Sequence, residues 1–164
     1  VKVALAEAER RVQAIATVHA ALSQNVDESV DFDEVARTIV RMAGAIASTD
    51  HAVEVITTGS FGTIQADQAQ ALATVLNELV ANSVEHGLAD RDGLIEVRAE
   101  REGASMTVTV ADDGVGFVPG TPMSGLGTQI VHQMVRGELK GSIEWAPREG
   151  GGTLVTLHAN LDPA

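Results

Sequence analysis

The chain has no cysteine, which excludes disulfides, cysteine nucleophiles and thiolate metal sites. Aromatic residues make up only 2% of it, against 45% hydrophobic residues in all. A core must therefore be built mostly from Ala, Val, Leu and Ile. Positive charge is also scarce: 11 Lys and Arg stand against 23 Asp and Glu, for a formal net charge of -12. Phosphate backbones and anionic lipid surfaces both call for clustered positive charge, so neither nucleic acid nor membrane is expected as a partner. No apolar run approaches the roughly 20 residues that span a bilayer. The start is amphipathic rather than a basic stretch followed by an apolar core. A cytoplasmic location is the resulting expectation. The 164 residues fit one compact domain with a small appendage, and Val1, not a natural start, suggests a piece of something longer.

What is present is a change of period along the chain. Val1, Leu5, Ala8, Val12, Ile15, His19 and Leu22 recur in alternating steps of four and three, a heptad seam suited to a partner helix or a dimer. A polar break at 25–30 follows. Asp31, with Glu34 three residues on, has the form of a capping box, and Phe32, Val35, Ile39, Met42 and Ile46 carry a second amphipathic helix to about Ala47. From Ala52 to Thr57 the pattern is that of a strand, and Gly59 to Gly62 reads as a turn. Asp67 opens a long helix that the spacing ends at Gly87 as a C-cap. Strands are expected at 94–100, 106–110, 141–145 and 153–158, and a helix at 125–135, closed by Gly137. No internal repeat or low-complexity tract interrupts this order.

Four short motifs carry chemistry. Glu78 and Asn82 stand four residues apart on the long helix, which puts both side chains on one face. Asn82 offers a neutral oxygen of the kind Mg²⁺ accepts when it shares its shell with phosphates; Glu78 is placed to orient or deprotonate an attacking group. The same spacing also fits an ordinary polar helix face. Asp112 ends a strand and is followed by Gly114 and Gly116, which permit positive φ and a close approach of backbone to ligand. A carboxylate there accepts a hydrogen bond from the exocyclic amine of adenine and repels the carbonyl that guanine presents. A tight turn after an edge strand is the competing explanation. Gly125-Leu126-Gly127-Thr128 leads into a helix whose exposed N–H groups suit phosphate, or is simply a flexible feeder loop. Gly152-Thr153 opens the last strand, as a pocket floor or a plain hairpin turn. Walker A, Rossmann and Ser/Thr/Tyr-kinase signatures are all missing.

In this order the four motifs resemble the N, G1 and G2 boxes and the late Gly-Thr of the GHKL superfamily of ATPases, over about residues 50 to 160. The resemblance implies an α/β fold of the α+β two-layer type: a Bergerat ATP-binding fold, with a mixed sheet and helices on one face. The segment Ala8 to Ser23 is similar to the second dimerisation helix of the HisKA_2 class of sensor histidine kinases, and Glu78 and His86-Gly87 fit that class, closest to its cytoplasmic actinobacterial members. By that resemblance residues 1–24 belong to a dimerisation and phosphotransfer region and 25–164 form the catalytic ATP-binding domain. ATP and Mg²⁺ are the implied cofactors, with Asn82 as metal ligand and Glu78 as the catalytic residue. Asp112 would bind adenine, and Gly114, Gly116, Gly125, Leu126, Gly127 and Thr128 would shape the pocket and phosphate loop. Thr153 would support the adenine end. The implied partners are a second copy, through the N-terminal helix, and a response regulator.

Three departures stand beside it. Glu85 occupies the place where the family often has a phosphate-contacting Lys or Arg, leaving Lys140 and Arg136 as candidates. Residues 117–124 are short for an ATP lid. The acceptor histidine of the class is expected upstream of this sequence, and His19, in the seam, reads as an interface residue rather than the acceptor; the other histidines read as structural or surface groups. Two alternatives share the nucleotide fold: an anti-sigma-factor serine kinase, which usually lacks a long leading helix, and a binding module without activity.

Overall fold

The computed structural model describes residues 2–23, 29–47, 51–88, 91–116 and 125–162. The elements run α1 (Lys2–Ser23), β1 (Ser29–Asp31), α2 (Phe32–Ala47), β2 (Val53–Gly59), β3 (Thr63–Gln65) and α3 (Ala66–Asn82). After a π-helical turn at Ser83–Gly87 come β4 (Gly93–Glu102), β5 (Ser105–Asp112), α4 (Leu126–Gly137), β6 (Ser142–Pro147) and β7 (Thr153–Asn160). The main sheet has five strands in the order β2-β4-β5-β7-β6. Only the β2–β4 pair is parallel; the others are antiparallel. The mixed sheet and its helices give the expected α/β fold.

Strand alternation decides which side chains meet the helices. Ile95, Val97 and Ala99 of β4, Met106, Val108 and Val110 of β5, and Val155, Leu157 and Ala159 of β7 are all buried. Asp112 shares that parity, so the pleat that buries Val110 also turns the last side chain of β5 inward. The long helix α3 packs against α1, α2 and α4, which explains why it is apolar on several sides rather than along one stripe. Small residues fill these contacts: Ala36, Ala43, Ala69, Ala71, Ala73 and Ala81 are buried, the Ala-rich interior that the lack of aromatics calls for. Phe32 and Phe61 are fully buried and meet edge to face at 5.2 Å.

Three expectations need correction. The segment around Gly59 to Gly62 is not just a turn. It leads into β3, which pairs with β1 as a separate two-stranded ribbon, pinned by Phe61 N–H donating to Asp33 Oδ1 (2.6 Å) and by Arg101 Nη1 donating to the Phe61 carbonyl (2.7 Å). Three-residue strands are too short to leave a period. The cap of α2 is the expected Asp31, whose Oδ1 accepts from the Asp33 N–H. The long helix does not run regularly to a C-cap at Gly87: it widens into a π turn after Asn82, and its end residue Leu88 is right-handed. Finally, β5 runs on through Asp112 and lies in the middle of the sheet, not at an edge.

On α1, Leu5, Ala8, Val12, Ile15 and His19 of the heptad seam are exposed, while Val18, off the seam, is buried against the domain. The helix thus has two faces, one docked and one open. Val1, residues 25–28 of the polar break and the segment 117–124 lie outside the described residues. No helix among the described residues is long and apolar enough to cross a membrane.

Candidate functional site

The end of β5 is where the α3 helix, its π turn and the β6–β7 hairpin converge. Asp112 is 1% exposed. Its Oδ1 accepts hydrogen bonds from the Gly114 N–H at 3.0 Å and the Thr153 N–H at 3.2 Å. Burial pushes its carboxyl above the usual carboxylate range, and neighbouring Asp113 adds to the rise; the two backbone donors and Arg148 act the other way.

Glycines let the backbone close around this carboxylate. A Cβ on Gly87 would overlap Asp112 Oδ2, a Cβ on Gly114 would overlap the Gly87 carbonyl, and a Cβ on Gly152 would overlap the Asp112 carbonyl. Val115 N–H donates to the Gly87 carbonyl at 2.7 Å, which fastens the glycine loop to the end of the helix. Gly116 takes φ 74° and Gly152 φ 103°, conformations that side chains other than glycine rarely tolerate. Gly87 is the last residue of the π-helical turn, and it is this glycine that the turn sets against Asp112.

The structure brings Asp112, Gly114, Gly116 and Thr153 together, and links them to the helix that carries Glu78 and Asn82. Thr153 contributes through its backbone N–H. Glu78 is buried and Asn82 half-buried. The Asn82 side chain makes no capping bond at the helix junction, and its amide oxygen is of the neutral kind that Mg²⁺ accepts. No cluster of three or more acidic or histidine ligands exists among the described residues. A Mg²⁺ here would therefore need phosphate oxygens to complete its shell, which is its usual preference. Gly125, φ 116°, precedes α4 and offers no side-chain cap, and the first N–H groups of a helix have no acceptor within the helix itself. Gly127 and Thr128 are buried there, and Leu126 is exposed.

Lys140 does not belong to this end of the molecule. Its carbonyl accepts from Asn160 Nδ2 and its ammonium pairs with Asp162 at 2.8 Å. Asn160 lies at the opposite end of β7 from Thr153, roughly 23 Å away at strand rise. Arg136 is in the last turn of α4, roughly 15 Å from its start. The cation that does reach the site is Arg148, whose Nη1 stands 3.3 Å from the Asp112 carbonyl. Neither its role nor that of Gly87 was read from the sequence; the run Gly150-Gly151-Gly152 beside Arg148 was the available signal. Of the histidines, His132 rests against Trp145 at 5.4 Å and His158 Nδ1 lies 3.1 Å from Thr107 Oγ1; both fill structural places.

The model of the histidine kinase-, DNA gyrase B-, and HSP90-like ATPases matches residues 67–163. The chain belongs to this ATPase family. The HisKA_2 histidine kinase model matches residues 1–46, which span α1 and nearly all of α2. The sensor histidine kinase PdtaS of Mycobacterium tuberculosis is 40% identical over 159 residues, 94% of this chain and 32% of its own length. The chain thus spans about a third of the length of the curated relatives it matches. Among solved structures, the histidine kinase domain of the Erythrobacter litoralis EL346 blue-light activated kinase superposes with TM-score 0.74 at 24% identity, covering 93% of this chain and 74% of that one. The ATP binding domain of PrrB from Mycobacterium tuberculosis gives 0.66 at 21% identity, covering 84% of this chain and all of its own. At such identities the structures speak for the fold alone.

Proposed function

We propose that this chain is the ATP-binding catalytic part of a two-component sensor histidine kinase. It would transfer the γ-phosphate of Mg-ATP to a histidine outside these 164 residues, from which a response regulator takes it. The observation that carries the reading is the Asp112 site: a buried carboxylate whose Oδ1 is held by two backbone N–H donors, leaving the other oxygen for the adenine amine.

Each residue then has a task. Asp112 accepts from the exocyclic amine of adenine and discriminates against guanine. Gly114 and Gly116 bring backbone close to the base, with the Thr153 N–H fixing the carboxylate. The uncapped N–H groups at Gly125 to Thr128 receive phosphate. Asn82 would hold Mg²⁺, which would supply positive charge against the phosphates. Glu78 orients the acceptor imidazole and takes its proton as the N–P bond forms; the bond between the γ-phosphorus and its bridging oxygen breaks, and that electron pair leaves with ADP. Catalysis of this kind is mainly positioning and charge neutralisation.

Residues 1–24 we assign to the dimerisation region and 25–164 to the catalytic domain. Support comes from α1, which docks on the domain through Val18 while Leu5, Val12 and Ile15 stay exposed on the open face. That seam fits a second copy. It also separates this chain from serine kinases of the same fold, which usually lack such a helix. The test is phosphorylation in trans of a full-length partner whose own ATP site is dead. Acid-labile label on the partner supports the reading; ATP binding without any transfer, or acid-stable label on serine, contradicts it.

A further inference from the structure

We propose that Arg148 is a positioning residue for base recognition. From the β6–β7 turn its guanidinium ties the Asp112 end of β5 to Glu96 of β4, and so fixes where the Asp112 carboxylate stands. The inference rests on the reading of Asp112 as the base acceptor.

The turn that carries Arg148 is tightly made. Its N–H donates to the Gly152 carbonyl at 2.9 Å and its carbonyl accepts from the Gly151 N–H at 3.1 Å. Three successive glycines, Gly150, Gly151 and Gly152, take positive φ, and the last lies against the Asp112 carbonyl with no room for a Cβ. The next residue supplies the Thr153 N–H to Asp112 Oδ1. Arg148 closes the same unit from the other side, with Nη1 at 3.3 Å from the Asp112 carbonyl and Nη2 at 3.5 Å from Glu96 Oε1. Its side chain is 29% exposed, less than that of any other described arginine or lysine in an ion pair. A guanidinium suits this task better than an ammonium, because its fork reaches a carbonyl and a carboxylate at once.

Charge reinforces the geometry. The groups that act electrostatically on Asp112 are Arg148 from the hairpin and Asp113 from its own loop. The π turn presents Gly87 to it and β7 presents a backbone N–H, neither of them ionisable. Arg148 is thus a cation that favours the ionised carboxylate against burial and against Asp113, and the ionised form keeps Oδ2 an acceptor for the adenine amine while Oδ1 holds the two backbone N–H groups.

The experiment is calorimetric titration of the 164-residue chain with Mg-ATP and with Mg-ITP, which lacks the exocyclic amine, between pH 5 and 8. Wild type, Arg148→Gln, Arg148→Lys and Asp112→Asn are compared, with thermal melts alongside. Arg148→Gln is expected to weaken ATP binding on the order of tenfold at pH 7, to narrow the preference for ATP over ITP, and to move the acid-side loss of binding to higher pH. Arg148→Lys keeps the charge and should retain the acid limb while losing part of the affinity. A merely structural role would weaken both nucleotides equally and leave the pH profile unmoved, and that result overturns the proposal. So does unchanged ATP binding in Arg148→Gln alongside its loss in Asp112→Asn. If Asp112→Asn itself binds ATP as wild type does, the base-acceptor reading fails first and takes this inference with it. Should Arg148→Gln melt too low to titrate, Arg148→Lys decides through the ratio of ATP to ITP affinity: a narrowed preference for ATP supports the proposal, and equal loss of both nucleotides or unchanged binding of both overturns it.

Discussion

Gly87 has no side chain, and the Asp112 carboxylate stands where one would be: a Cβ on Gly87 would overlap Oδ2. The end of the long helix and the end of the central strand therefore meet through one glycine and one carboxylate. Gly87→Ala must push the carboxylate, the π turn or both. We expect it to cost about 1–3 kcal/mol of stability, the usual range for overpacking a tight site, and to weaken ATP binding further than the stability loss explains. Urea unfolding and nucleotide titration on the same preparation separate the two effects.

Acid should act on folding and on nucleotide binding in opposite directions through Asp112. Burial raises its carboxyl above the usual carboxylate range, so the folded chain binds that proton more readily than the unfolded chain. As pH falls through the raised value the folded state gains stability from this group, and the gain is complete below the unfolded value. Over the same window the charged acceptor is lost and ATP affinity drops. Melting temperature and ATP affinity against pH, each taken as wild type minus Asp112→Asn, should show slopes of opposite sign.

Glu78→Gln separates chemistry from binding. It leaves the base site untouched, so ATP affinity should stay within about threefold of wild type. Transfer to an acceptor histidine in trans should fall on the order of 100-fold or more, as removal of a proton acceptor does. Equal loss of binding and transfer would assign Glu78 to the fold instead.

The two faces of α1 give a paired prediction. Val18 is 6% exposed and Ile15 70%. Val18→Ala should lower stability by about 1–3 kcal/mol with little effect on self-association. Ile15→Lys and Val12→Lys should leave stability within about 0.5 kcal/mol yet shift sedimentation toward monomer.

Much of this arrangement was legible in the sequence because it obeys simple periods. The 3.6-residue repeat around Leu72, Leu76 and Leu79 marks α3, and alternation at Ile95, Val97 and Ala99 marks β4. The motif residues Asp112, Gly114, Gly116 and Thr153 were also found, since glycines beside a carboxylate are a local signature. What escaped depends on contacts distant in sequence. A π turn has no composition of its own, so Gly87 read as a helix cap. Lys140 is a phosphate candidate by sequence alone, and its bonds with Asn160 and Asp162 place it at the far end of β7. Arg148 lies 36 residues beyond Asp112 and carries no spacing rule that links the two. The ribbon of β1 and β3 is held by Asp33 and Arg101, again from outside its own segment.

The central claim is that Asp112 receives an adenine base in its ionised form, and Mg-ATP titration of wild type against Asp112→Asn tests it most directly. The asparagine can keep both backbone hydrogen bonds through its oxygen, but it replaces the free carboxylate oxygen with an amide that is a donor. The account predicts a folded variant, melting at or above wild type, with ATP affinity reduced on the order of 10- to 100-fold. A folded Asp112→Asn protein that binds Mg-ATP as tightly as wild type would contradict it.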